Sequence, residues 1–276
     1  MIIVVLIILG LALGSFINAL VWRLHEQDTP RKLSAKKRAE LSITKGRSMC
    51  PHCHHTLAAK DLVPVLSWIS LGGKCRYCKK PISAQYPIVE LLTMVLFIVS
   101  YLAWPRPLTG PHILTLSVWL AGLILLVALA LYDLKYMLLP HKLTLPLIGL
   151  GALQTIVLLC WTGQGGWHRL LDTVLAVAVA GGIFELIYRL SQGAWIGGGD
   201  SILGVGLGLL LVRPSLAFLM LFVASLIGLL AAAPGLIARK QTLTSRIPFG
   251  PCLIAATIVT VLWGQHVINW YLSVLQ

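Results

Sequence analysis

The sequence predicts an all-α polytopic membrane protein, with about eight transmembrane helices and a cytoplasmic zinc-ribbon-like loop domain, on three observations. Of 276 residues, 58% are hydrophobic and 11% charged, whereas an ordinary soluble domain carries roughly 25% charged residues. Apolar runs recur along the chain at the roughly 20 residues needed to cross a hydrocarbon core as a helix. The formal charge of +13 is local, because 13 of the 22 Lys and Arg lie between Arg23 and Lys80. Basicity confined to one loop of a membrane protein marks that loop as cytoplasmic.

The first crossing is expected at residues 2–22, ending in Arg23. Ala12-Leu13-Gly14 would pass as a signal-peptide cleavage site, but no positive charge precedes the run. Residues 23–86 are expected to form the loop domain and residues 87–276 the membrane core. Within the core, crossings are expected at 87–104, 113–132, 143–162, 170–189, 201–212, 215–237 and 248–265. The run 201–212 is short for a span. It begins earlier, thins the bilayer, or is a broken or re-entrant element lining a cavity. Alternation from an outside N-terminus leaves both termini outside and puts Lys135, Lys142, Arg189, Arg239, Lys240 and Arg246 inside. Only Arg106, Arg169 and Arg213 then fall outside, a bias that supports this orientation. Trp104, Trp161, Trp167 and Trp263 are expected near span ends as interfacial rings.

Cys50-Pro51-His52-Cys53 and Cys75-Arg76-Tyr77-Cys78 are two C-x-x-C knuckles, 21 residues apart. That spacing predicts a structural zinc site in which four thiolates close the tetrahedron. A reducing cytosol favours thiolates over a pair of disulfides. A Cys₃His set drawing on His52, His54 or His55 is the alternative. Cys160 and Cys252, each alone in apolar surroundings, are expected to be buried small side chains. A ribbon with basic neighbours could bind nucleic acid, but Trp68, Tyr77 and Tyr86 are widely spread, so no nucleic-acid partner is expected.

Nine carboxylates occur, and beyond residue 90 only Asp133, Asp172, Glu185 and Asp200. Ionisable groups at membrane depth are costly and therefore functional candidates. Glu185 has Arg189 four residues on as a partner. Asp172 is expected at the start of its helix, where a carboxylate suits the macrodipole. Asp133 and Asp200 differ, because alternation puts both at the cytoplasmic edge. Asp133 closes a crossing, at the helix end that disfavours negative charge. Asp200 follows Gly197-Gly198-Gly199 and could simply be an N-cap. Two carboxylates sharing a low-dielectric site cannot easily both ionise. One could hold a proton while the other activates water, which is peptide-bond hydrolysis without metal or side-chain nucleophile. The helix ends assign the resting proton to Asp133.

The residues resemble the type IV prepilin peptidases, also called prepilin leader peptidase/N-methyltransferases, over nearly the whole chain. The likeness is carried by Gly14-Ser15-Phe16-x-Asn18 with Arg23, the two knuckles, Ile82-Ser83 with Tyr86-Pro87 and Glu90, and Asp133 ahead of Leu139-Pro140. It continues with Gly197-Gly198-Gly199-Asp200 and Pro248-Phe249-Gly250-Pro251. The resemblance implies a multi-pass enzyme of the bacterial inner membrane, with periplasmic termini, that cuts the basic leader from prepilins or pseudopilins after a glycine. It implies catalysis by Asp133 and Asp200, zinc on Cys50, Cys53, Cys75 and Cys78, and supporting roles for Gly14, Asn18, Glu90, Pro140, Gly197, Gly199, Pro248 and Gly250. It also implies N-methylation with S-adenosylmethionine, for which the sequence shows no independent motif. The chain departs from the family at His141, usually acidic, and at Ile202, commonly Lys.

Two other readings compete. A proton-coupled transporter also uses membrane acids, though nearer the midplane. A presenilin-like intramembrane aspartyl protease shares Tyr132-Asp133 and the G-x-G-D element but not the cysteine loop.

Overall fold

In lipid every backbone N–H and C=O must find its partner within its own segment, so the apolar runs become helices. The computed structural model describes residues 1–29, 34, 39–43, 46–108, 110–161, 166–237 and 248–275. Arg239, Lys240 and Arg246 lie outside them. Among the described residues there are no named strands, only the isolated bridges Met49–Thr56 and Lys74–Pro81. Seven helices there are long and apolar enough to cross a membrane. The chain divides into two compact units, Met1–Val99 and Ser100–Gln276.

The first unit holds α1 (Ile2–Asp28), a 3₁₀ turn (Ala59–Asp61), α2 (Leu66–Ser70) and most of α3 (Gln85–Leu102). Gly10 and Gly14 let α1 and α3 touch backbone to backbone. A Cβ at Gly10 would lie 2.5 Å from Met94 Cα, and one at Gly14 2.6 Å from Glu90 Cα. This is the close approach that small residues four apart permit between membrane helices. α1 runs six residues past its expected end. Arg23 does not mark a boundary: it is buried and donates to the carbonyls of Ser42 (3.0 Å), Ile43 (3.4 Å) and Gly46 (3.1 Å).

The second unit contains α4 (Pro111–Tyr136), α5 (His141–Trp161), α6 (Gly166–Val177), a π turn (Ala178–Gly182) and α7 (Ile183–Leu190). It ends with α8 (Gly198–Leu211), α9 (Pro214–Ile237) and α10 (Gly250–Leu275). α6, the π turn and α7 make one span, Gly166–Leu190. Central to the packing is α8, whose Ser201, Leu203, Gly204, Gly206, Leu207, Gly208, Leu210 and Leu211 are buried. The π turn lies directly on its glycines. A Cβ at Gly208 would stand 2.7 Å from Val177 Cα, and one at Gly204 would overlap the Ala180 carbonyl.

At 14 residues, α8 is about 21 Å long, short of the roughly 30 Å hydrocarbon core. A helix that stops inside protein must satisfy its last carbonyls locally. Gln154 Nε2 donates to the Leu210 carbonyl at 2.9 Å, and Val212, left-handed at φ 66°, donates its N–H to Gly208 O at 3.0 Å.

Four expectations are corrected. Asp172 is not at a helix start, because α6 begins six residues earlier at Gly166. Trp104 is buried, its ring centroid 6.4 Å from that of Trp119, rather than interfacial. Trp263 lies mid-helix, since α10 continues to Leu275 through Trp270 and Tyr271. Cys160 is exposed on the apolar surface of α5, whereas Cys252 is buried as expected.

Candidate active site and metal centre

Asp133 lies in the last turn of α4, which ends because Met137 turns left-handed (φ 53°) and donates its N–H to the Asp133 carbonyl at 2.8 Å. Its side chain is buried, at 6% exposure. The carboxylate accepts the backbone N–H of Gly250, the first residue of α10. A Cβ at Gly250 would stand 2.6 Å from Asp133 Oδ2. Only glycine leaves the carboxylate that seat.

Asp200 is the third residue of α8, not its N-cap, which is Gly197. Its carboxylate reaches back to accept the Gly197 N–H, one half of a capping box. Half-buried, it lies within electrostatic reach of Asp133. Both carboxylates therefore meet helix N-termini, Asp133 that of α10 and Asp200 that of α8. The expectation that helix ends place the resting proton on Asp133 considered α4 alone; the Gly250 N–H opposes it, and helix polarity no longer ranks the pair.

Leu139 is wedged beside them. A Cβ at Gly199 would stand 3.0 Å from Leu139 Cβ, and one at Gly250 3.6 Å from Leu139 Cδ2. Pro140 starts α5 by offering its carbonyl to the N–H of Leu143 (2.9 Å) and Thr144 (3.2 Å). Pro248 leads into α10, and Phe249 stands edge-on to Phe184 at 6.0 Å between centroids. His141, first in α5, is exposed, and Ile202 is half-buried in α8. Glu185 pairs with Arg189 at 2.6 Å, as its spacing predicts.

In the first unit the Sγ atoms of Cys50, Cys53, Cys75 and Cys78 all lie within 4.8 Å of one another, with Cys50 and Cys78 3.9 Å apart. Zinc–sulfur bonds of about 2.3 Å put tetrahedral sulfurs about 3.8 Å apart, so the cage fits zinc. The knuckles are local copies. Cys50 N–H donates to His55 O (3.0 Å) and His54 N–H to Cys50 O (2.9 Å); Cys75 N–H to Lys80 O (2.9 Å) and Lys79 N–H to Cys75 O (3.0 Å). His54 takes the left-handed turn position at φ 55° and His55 stacks on Tyr77 at 3.7 Å, so neither belongs to the metal cluster.

Asn18 and Glu90 tie α1 and α3 to the loop. Asn18 Nδ2 donates to Tyr86 O at 3.2 Å, and its Oδ1 accepts from Gln85 Nε2 at 3.0 Å. Glu90, buried, accepts the Val65 N–H at 2.7 Å, holding that β-branched residue at φ 60°, a conformation that costs strain. Trp68 Nε1 donates to Ile82 O at 3.0 Å. Around these groups is a cavity of about 130 Å³, lined mostly by apolar side chains with Trp22, Trp68, Asp61 and Glu90 among them. Asp61 is gripped by Arg76 Nε (2.7 Å) and Tyr77 OH (3.1 Å), and the Arg76 hydrogen bond holds its carboxyl below the usual range.

Comparison with known proteins follows the same division. Residues 8–104 match the bacterial peptidase A24 N-terminal domain and residues 120–233 the type IV leader peptidase family. The prepilin leader peptidase/N-methyltransferase of Aeromonas hydrophila is 34% identical, over 96% of this chain and 91% of the relative. The type 4 prepilin-like proteins leader peptide-processing enzyme of Escherichia coli O78:H11 is 34% identical, over 91% of this chain and 90% of the relative. A Pseudomonas aeruginosa prepilin leader peptidase/N-methyltransferase is 31% identical over 97% and 92%. No solved structure matches the chain. With that coverage at each end, and with the two aspartates and four cysteines gathered as described, the chain belongs to the type IV leader peptidase family.

Proposed function

We propose that this chain removes the basic leader of a prepilin or pseudopilin, cutting after glycine at the cytoplasmic face of the inner membrane, and N-methylates the new terminus. The observation that carries the hydrolytic half is the pairing of Asp133 with Asp200 across two helix ends. One ionised carboxylate draws a proton from water as it attacks the scissile carbonyl. The protonated partner supports the developing oxyanion and later protonates the leaving amine. Burial at the dyad strengthens both interactions. The sidedness rests on the bias of Lys and Arg, which also leaves both termini periplasmic. The mature end of such a substrate is apolar and can pack among the exposed hydrophobic faces of the helices.

The test is to incubate the purified full-length chain with a prepilin substrate and read the product's N-terminus by mass spectrometry. A mature product that begins anywhere but immediately after the leader glycine overturns the reading. Gly250→Ala, by driving a methyl group against Asp133, is expected to lower the cleavage rate about 100-fold while leaving the circular dichroism spectrum unchanged.

Zinc on the four cysteines shapes the loop and has no open position for chemistry. For the methyl donor, the first unit's cavity is the fitting place. At about 10–15 Å³ of such space per water, it has room for roughly ten waters, a displaced volume of about 300 Å³, in the range of small-ligand sites. S-adenosylmethionine, when bound, supplies an electrophilic methyl on a sulfonium cation. Trp22 and Trp68 line the cavity with aromatic rings of the kind that attract such a cation, Glu90 offers a buried carboxylate, and much of the remaining wall is apolar. Glu90→Gln is expected to lower the methylated fraction of cleaved product about tenfold, as loss of a charge-assisted contact implies. An unchanged fraction at limiting donor removes Glu90 from the site.

A further inference from the structure

At the end of the second unit away from the aspartates is a cavity of about 570 Å³ that the hydrolytic reaction does not use. It exists because α8 stops early: Leu210, Leu211 and Val212 form part of its wall, and Arg213 follows at once. The remaining wall comes from α4 (His112), α5 (Leu158), α6 (His168, Arg169, Asp172), α9 (Leu216) and α10 (Val261, Gln265), and from Pro105 and Arg106 in the α3–α4 loop.

Three arginines thus converge, and they are the same three that strict alternation places on the face where Lys and Arg are disfavoured. Their gathering works against itself. Burial, then repulsion from Arg213 and Arg169, brings the Arg106 guanidinium down to about 10, still charged at neutral pH. The guanidinium stands 5.5 Å over the Trp104 ring. Arg169 donates to Leu158 O at 3.1 Å and Arg213 to Gln265 Oε1 at 2.7 Å, both neutral acceptors. His112 adds a buried Nδ1 with no partner among the described residues. Among the described residues the one acid in the wall is the exposed Asp172.

We infer that this cavity is a binding site for a phosphate-bearing anion, seated among Arg106, Arg169, Arg213 and His112. The forked guanidinium suits phosphate oxygens. The volume exceeds the needs of a bare ion, and Leu158, Leu211, Leu216 and Val261 supply apolar wall beside the cations. An anionic phospholipid headgroup with its glycerol fits both features; free phosphate shares only the charge.

The test uses the purified full-length chain in zwitterionic detergent and measures Tm with added phosphatidylglycerol, phosphatidylcholine or inorganic phosphate. Phosphatidylglycerol is expected to raise Tm by about 5 °C, the scale of a ligand well above its Kd. Arg106→Gln/Arg213→Gln should reduce that rise about threefold, and Arg213→Lys should restore part of the single Arg213→Gln loss. A rise of equal size with inorganic phosphate supports the anion site and identifies the soluble source. No rise with either anion, a rise matched by phosphatidylcholine, or an undiminished rise in a variant overturns the proposal. If the double variant fails to fold, the Arg213→Gln and Arg213→Lys comparison decides, with native mass spectrometry counting retained phosphatidylglycerol.

Discussion

Asp133→Asn and Asp200→Asn are each expected to lower leader cleavage by about 10³-fold or more, the scale of losing a positioned acid or base. The amide keeps the shape of the carboxyl, and its oxygen still accepts the Gly250 or Gly197 N–H. What disappears is the capacity to exchange a proton with water or the leaving amine. In the proposed mechanism the two carboxylates act on one water and one carbonyl, so the double variant should be hardly worse than either single one. A gel shift of prepilin substrate by purified enzyme measures all three. Ready processing by either single variant would remove the dyad from the mechanism, whereas residual turnover common to all three reflects substrate positioning alone.

Loss of zinc should be the largest structural effect. Among described residues from Ala39 to Ala84 only Leu41, Cys50, Gly73 and Cys75 are buried. The loop has almost no apolar core, and segments of that kind depend on a metal or disulfide staple. Binding of a structural zinc releases about 10–16 kcal/mol in small peptides, more than so few buried groups supply. Elemental analysis is expected to find about one zinc per chain, as a closed four-sulfur site demands. Cys75→Ser should lose the metal, open the loop to trypsin at Lys74 and Lys79, and abolish methylation. Intact, methylating protein free of zinc contradicts this.

The aspartate pair stood out in the sequence because carboxylates are scarce in an apolar chain, and the four-cysteine cluster because its spacing suits a metal site. The transporter reading falls with family membership. Other features depend on packing between distant segments. Gly250 is 117 positions from Asp133 in the sequence, and nothing local says that its missing side chain seats a carboxylate. Helix ends were misplaced where polar residues continue a helix, as Arg23 does by feeding loop carbonyls. Asp172 was misread for the same reason, its helix starting a turn and a half earlier. Gln154 could have been noticed as an amide in an apolar run. Gly10 and Gly14 carried a pattern of close approach that passed unread.

The brevity of α8 also bears on how the protein enters the bilayer. Fourteen residues, five of them glycine, are too few for the insertion machinery to take up as an independent span. Only Val212 and Arg213 separate α8 from α9, so the two must partition together as a helical hairpin. On the proposed sidedness Arg213 would ride at the tip, carried through the hydrocarbon by the strongly apolar α9 that follows. Even an arginine held at a helix centre opposes insertion by only about 2.5–3.5 kcal/mol, so α9 would be the element that brings α8, and with it Asp200, into the bilayer.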